Sequence, residues 1–356
     1  MKKFASIILS AVSAAAMLPF ATGCTDVSGD GIDSIVWNGS QNIANTHYHN
    51  PVWEPDLNGG TVLKTTTGFI AIAPQVEWVN GLIYNAPALS STNLMDWDFN
   101  NQAEAFPSLS QKEDSLVTDV AALYSRTVAR TSYWLFYITK DAKTIRAAYA
   151  STGLGPYTDA GVVVDVAQTG DASLSCPSAI NVTSKNYIFY TTPSGTYCQE
   201  LTIRPASLPK LKGQRTLVAG PEFTDVQAFR MSKTDFYLFG TVKGAAGTEI
   251  HYARAEKIDG TYKGQDGHGI LDGQSTGSLL VRASQTYADP QNLNGVFEAS
   301  GDSLFVTFTA TETAKPQLSS GKPRRPLFLY YAPRDEQGWF TTLLEPVKGW
   351  ATPKFK

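Results

Sequence analysis

Charge is scarce in this chain, and so are cysteine, methionine and histidine. Charged residues make up 17% of the 356, and the net charge is −3. That leaves no basic face to neutralise a phosphate backbone, so nucleic acid is not expected as a partner. Cysteine occurs three times, at Cys24, Cys176 and Cys198. The strand pattern described below puts Cys176 and Cys198 on strands that are not neighbours. This argues against a bridge between them, even in an oxidising compartment that would permit one. After about residue 20 no apolar run approaches the length of a bilayer span. Abundant Gly, Thr, Ser and Tyr, together with an aromatic content of 11%, favour strands and turns over helices.

The first residues carry a separate signal. Lys2 and Lys3 precede an apolar, Ala-rich stretch from Phe4 to Phe20, and small residues then lead through Ala21, Thr22 and Gly23 to Cys24. This is the layout of a secretory signal, with residues 1–23 as the leader. The cysteine at the cleavage point resembles a bacterial lipobox, although Ala21 stands where Leu is usual. The resemblance implies lipidation of Cys24 and a location in the cell envelope, on the outer membrane or the cell surface, with the lipid as the only membrane contact. Residues 24–44 begin with Gly, Ser and Asp and suit a flexible tether. Residues 45–356 are left as the folded domain, long enough for a large core.

Within that domain a pair of short strands recurs, followed by a turn and an aromatic. The pairs are Gly68–Ala73 with Leu82–Leu89, Tyr133–Ile138 with Ile145–Ala150, Tyr187–Tyr190 with Tyr197–Leu201, Phe236–Phe239 with Ile250–Ala255, and Leu304–Phe308 with Leu327–Tyr331. Each run is rich in aromatic and β-branched residues and bounded by turn formers. The aromatics Trp97, Tyr157, Tyr262 and Trp339 close four of the units, at a period of roughly 50 to 75 residues, close to that of a propeller blade. A further strand precedes each pair: Thr61–Leu63, Val120–Tyr124, Ser178–Val182, Val226–Met231 and Val296–Glu298. Four antiparallel strands per unit and five units predict an all-β, five-bladed β-propeller. A two-sheet sandwich is the alternative, and it does not account for the repeat. The closing aromatics are expected to pack between blades.

In a propeller the first strand of each blade lines a central channel, so the residues opening those strands converge on one mouth. Blade one opens with Trp53-Glu54-Pro55-Asp56-Leu57-Asn58-Gly59-Gly60, blade two with Thr118-Asp119-Val120, blade three with Ser175-Cys176-Pro177 and blade four with Glu222-Phe223-Thr224-Asp225-Val226-Gln227. Blade five opens with Asn292-Leu293-Asn294. Several carboxylates at one mouth suit glycosidic cleavage, in which one protonates the leaving oxygen and another acts as base or nucleophile. An Asp that opens a strand can equally serve only to accept hydrogen bonds from turn amides.

The pattern resembles the five-bladed propeller glycoside hydrolases of families 43 and 32, which act mainly on furanosides and xylosides. Against family 32, Trp53 to Gly59 is similar to W-x-N-D-P-N-G, which implies Asp56 as nucleophile. Asp119 falls on the stabilising Asp of R-D-P, with Thr118 in place of Arg. Ser175-Cys176-Pro177 falls on E-C-P, with Ser175 in place of the acid. Against family 43, Asn50-Pro51-Val52 with Asp56 resembles the start of blade one. The base Asp then falls on Gly59, the Asp that tunes the acid falls on Cys176, and the Glu acid falls on Asp225 or Gln227. Neither set of carboxylates is complete.

The catalytic candidates are therefore Asp56, Asp119 and Asp225, with Glu222 as a substitute acid. The binding candidates are Trp53, Asn58, Cys176, Gln227 and Asn294. Trp53 is either a sugar-stacking platform or a buried core residue. His47 and His49 share one side of an extended segment without a third ligand, so no metal is expected, nor any other cofactor. The Pro-, Ser- and Lys-rich stretch from Glu312 to Arg325 is expected to be a mobile loop that could reach over a channel mouth. The leading reading is a hydrolase-like propeller acting on fructan, arabinan or arabinoxylan. A glycan binder that has lost its acid and a protein-interaction propeller are the alternatives.

Overall fold

The computed structural model describes residues 50–341 apart from 80–81, 100–102, 107–108, 110–111, 127–130, 205–206 and 300–301. Cys24, the leader and His47–His49 lie outside the described residues. Among the described residues no helix is long and apolar enough to cross a membrane.

Five antiparallel sheets follow one another along the chain. Blade one holds β1 (Thr61–Lys64), β2 (Phe69–Ile72) and β5 (Ala88–Ser91), with the hairpin β3 (Val76–Val79) and β4 (Leu82–Tyr84) inserted before β5. Blade two is β6 (Val117–Arg126), β7 (Thr131–Thr139), β8 (Thr144–Ala150) and β9 (Thr158–Asp165). Blade three is β10 (Ser175–Val182), β11 (Lys185–Thr192), β12 (Gly195–Arg204) and β13 (Ser207–Ala219). Blade four is β14 (Thr224–Ser232), β15 (Asp235–Gly244), β16 (Gly247–Ala255) and β17 (Ser278–Val281). Blade five is β18 (Tyr287–Glu298), β19 (Leu304–Glu312) and β20 (Leu327–Ala332). The innermost strands β1, β6, β10, β14 and β18 each touch the next, and β18 touches β1, so the ring closes. The expected five-bladed propeller is what the chain forms.

Blades one and five have three strands each and are completed by single crossings. In blade one, Ser90 and Asp98 exchange backbone hydrogen bonds of 2.9 and 2.8 Å. In blade five the outer position is taken by the first described residues. Val52 donates to the Leu327 carbonyl at 2.8 Å, and Leu327 donates to that of Trp53 at 2.9 Å. The Asn50 side chain bonds both backbone groups of Leu329 at 2.8 Å. The start of the domain thus pairs with its last blade, which covers an edge strand and locks the ring.

One strand pairing differs from expectation. Leu82–Leu89 is not a single strand: Leu82–Tyr84 turns back on β3, and only Ala88 onward pairs with β2. Ala86, held at φ +56°, and Pro87 break the run.

The core lies between blades, as tilted sheets with large side chains on both faces require. Trp97, Tyr157 and Tyr262 are fully buried there, as their recurrence implies. Trp339 departs from this. It is half-buried, and its neighbour Phe340 fills the inter-blade position, with its ring 4.9 Å from that of Tyr237 and 5.3 Å from that of Tyr252. Cys176 on β10 and Cys198 on β12 are both free, as expected of strands separated by β11.

Candidate functional site

Each innermost strand from β6 onward loses its regular register near its start. The shifts fall at Val117/Asp119, Ser175/Ser178, Thr224/Gln227 and Ala288–Leu293. Bulges of this kind turn a side chain out of the sheet alternation. At Cys176, Asp225 and Asn292 the backbone adopts φ of +49°, +48° and +48°, which bulky L residues rarely take. The result is a ring with one residue from each blade: Gly59, Asp119, Cys176, Asp225 and Asn292. All five line one cavity of about 20 Å³ at the narrow end of the channel, with Gln227 and Asn294 just inside. The other end opens to about 350 Å³ and is lined by Leu63, Leu123, Ile180, Phe229 and Phe297 among others.

The two carboxylates of the ring are electrostatically coupled. Burial pushes the Asp119 carboxyl up to about 6, the nearby Asp225 charge adds to this, and a hydrogen bond from Thr118 opposes it. The Cys176 thiol donates to Asp225 Oδ1 at 2.7 Å. Burial, then the charges of Asp225 and Asp119, hold that thiol well above its usual range, so it stays protonated as the donor. Ser178 donates to Gln227 Oε1 at 3.2 Å, a second tie between blades three and four. Asn294 Nδ2 donates to the Gly60 carbonyl at 2.8 Å and to Asn292 Oδ1 at 2.7 Å, joining blade five to blade one.

Gly59 explains why blade one contributes no side chain. Its φ is +70°, and a Cβ there would lie 2.2 Å from the Thr118 carbonyl oxygen and 3.4 Å from Asp119 Oδ1. No carboxylate fits at this position without moving the backbone of blade two. The Asp119 carboxyl itself sits beside the place where one would begin.

Four of the sequence candidates are elsewhere. Asp56 does not line the cavity. It closes a turn by accepting from the Asn58 amide at 2.8 Å, and burial pushes it up to about 7 against that bond and the charges of Arg325 and Arg324. Asn58 accepts from Gln291 Nε2 at 2.7 Å and from Thr309 Oγ1 at 3.3 Å, which bolts blade one to blade five. Trp53 is 2% exposed and packs on Trp78 at 5.6 Å, so it is a core residue and no ring can stack on it. Glu222 is exposed on the turn before β14, outside the cavity lining. The loop from Glu312 to Arg325, expected to be a mobile one, makes ion pairs with the body of the propeller. Arg324, 1% exposed, is held between Glu54, at 2.6 Å, and Glu312, and Lys322 pairs with Glu77. The sequence gives no sign of this, since an Arg in a Pro-, Ser- and Lys-rich loop looks like any solvated cation.

No family model matches the sequence, and no curated protein matches it. Solved structures do. An α-L-arabinanase of Cellvibrio cellulosa complexed with arabinohexaose superposes with a TM-score of 0.65 at 14% identity, over 85% of this chain and 100% of that one. This is the propeller fold of the family 43 glycoside hydrolases. A family 43 endo-arabinanase from Bacillus licheniformis gives 0.59 at 17% identity, covering 81% and 98% of the two chains. An exo-β-1,3-galactanase of Phanerochaete chrysosporium, complexed with β-1,3-galactotriose, gives 0.59 at 13%, covering 90% and 66%. The positions where the family 43 resemblance expects carboxylates are Gly59, Cys176 and Asp225 or Gln227, and these all line one cavity of the described structure.

Proposed function

We propose that this chain is a glycan-binding propeller of the family 43 type. It would hold furanoside or xyloside chains such as arabinan, arabinoxylan or fructan at the ringed mouth, without cleaving them by a three-carboxylate route. The observation that carries this reading is the ring itself. Blade one is barred from supplying a side chain at Gly59, and blade three supplies a thiol that donates to Asp225. The Asp225 oxygen that accepts this bond is engaged by the thiol and is not free to face a leaving oxygen. A cavity of about 20 Å³ admits a water molecule and not a sugar ring, so the glycan would rest across the mouth. The neighbours crystallised with arabinohexaose and galactotriose support a sugar ligand for this fold. The lipobox-like Cys24 would tether the domain to the cell envelope, and loss of membrane fractionation in Cys24→Ser is the expected consequence.

One observation favours a second reading, a hydrolase with an unconventional pair. Burial and the nearby Asp225 charge raise Asp119 to about 6, within the range of a general acid, with a second carboxyl lining the same cavity. Asp119 would then act as the acid, and turnover would fall as pH rises through about 6. Binding and product release, followed together on arabinan, arabinoxylan, inulin and levan oligosaccharides, separate the two readings. Binding that weakens in Asp119→Asn, with no product at any pH, supports the binder. Release lost in both Asp119→Asn and Asp225→Asn overturns it.

A further inference from the structure

Trp339 is the repeat aromatic that the core uses only in part: half-buried, it packs on Tyr252 at 6.0 Å and keeps the rest of its surface outside. Phe340 occupies the inter-blade position, and Trp339 stands at the lip of a groove of about 900 Å³ on the outer side of blade four. That is within the size of a small-molecule site. The turn carrying Trp339 is clamped from below. Tyr237 donates to the Gly338 carbonyl at 2.6 Å, Arg254 donates to that of Gln337 at 2.8 Å, and the Asp335 amide donates to the Trp339 carbonyl at 2.9 Å while the Trp339 amide donates to Asp335 Oδ1 at 2.7 Å. Gly338 suits this turn because its φ of +91° is one that residues with a Cβ rarely adopt. The opposite wall is equally fixed: Arg254 and Lys263 exchange backbone bonds of 2.9 Å, and the Gly264 amide donates to the His268 carbonyl at 3.0 Å.

The chemistry of the lining is one-sided. Lys257, Lys263 and Gln265 are exposed, and none has a side-chain partner among the described residues. Arg254 is already matched by Asp235, and Glu256 is the lining's one acid. A preorganised indole with two free ammonium groups and an amide suits a ring that stacks on one face and carries carboxylates at its edge. We propose that this groove is a second glycan site, separate from the channel mouth, that takes an acidic, uronate-bearing polysaccharide. The inference does not rest on the reading of the mouth.

The test uses a galacturonic acid oligosaccharide and a neutral arabino-oligosaccharide as probes, with affinities measured by titration calorimetry on the whole chain. The acidic probe is expected to bind, and to weaken by about tenfold or more in Trp339→Ala and again in the exposed pair Lys257→Ala/Lys263→Ala. It should also weaken with added salt, as charge pairing at a surface does. The neutral probe should respond to none of these changes. An acidic probe that fails to bind, or that binds equally well to both variants, overturns the proposal. So does a neutral probe that loses affinity in Trp339→Ala as strongly as the acidic one.

Discussion

At the scale of single residues, the ring shows how backbone geometry decides which side chains can do chemistry. Asp119 and Asp225 sit in one cavity because bulges at the starts of β6 and β14 re-aim them. Asp56 is a different kind of acid: raised to about 7 by burial, yet outside the cavity. A carboxyl whose folded pKa exceeds its unfolded value binds its proton more tightly when folded. Its contribution to stability is therefore lost as pH rises from about 4 towards 7. Asp56→Asn keeps the acceptor for the Asn58 amide and removes the buried charge. Its melting temperature should equal that of the parent near pH 4 and exceed it at pH 8. A variant that melts lower at pH 8 would show that the Asp56 charge is stabilised by Arg324 and Arg325 more than burial penalises it. Asp119, Cys176, Asp225, Gln227 and Asn294 could be read from the sequence as mouth residues because each opens an inner strand. Asp56, Asn58 and Trp53 could not be placed, because the chain crosses from the outside of blade five to the channel between residues 53 and 59. Nearness in sequence to Gly59 is not nearness to the cavity.

At the scale of elements, two connections do what strands do elsewhere. The segment at residues 50–53 completes blade five, and the loop between β19 and β20 is fixed by Arg324 between Glu54 and Glu312. These features meet, since Leu57 donates to the Arg325 carbonyl at 3.0 Å. Loop and closure therefore brace each other. Removing one partner of a buried ion-pair network leaves the others uncompensated, at a cost of about 3–5 kcal/mol. Arg324→Ala should lower the free energy of chemical denaturation by that order and expose the loop to limited proteolysis. Unchanged denaturation and an uncut loop would mean that the closure holds without it. The five inner strands and most outer ones were legible from alternating aromatic and β-branched runs. The closure was not, because residues 50–53 contain Pro51, are followed closely by Pro55, and resemble none of the repeats.

At the scale of the whole molecule, five blades converge on a mouth that is narrow, acidic and half furnished. One of the ring's five positions cannot be restored simply: an acid at Gly59 collides with blade two. The fold is that of the family 43 structures, and the proposed reading has the mouth hold a glycan without cutting it. The blade-four groove, on another side of the ring, would let one chain grip two glycan chemistries at once. The fold was legible because the repeat is periodic. The groove was not, because the shift from Trp339 to Phe340 appears only once the blades are assembled.

The measurement that tests the central claim most directly is a single-turnover assay. The chain is held at a concentration equal to that of a labelled arabino-oligosaccharide, at pH 5 and pH 7, with bound and cleaved fractions read from the same samples. The account predicts a bound, intact oligosaccharide at both pH values, released unchanged when Asp119 is replaced by Asn. Cleavage at pH 5 that disappears in Asp119→Asn would contradict it and make the Asp119–Asp225 pair a working active site.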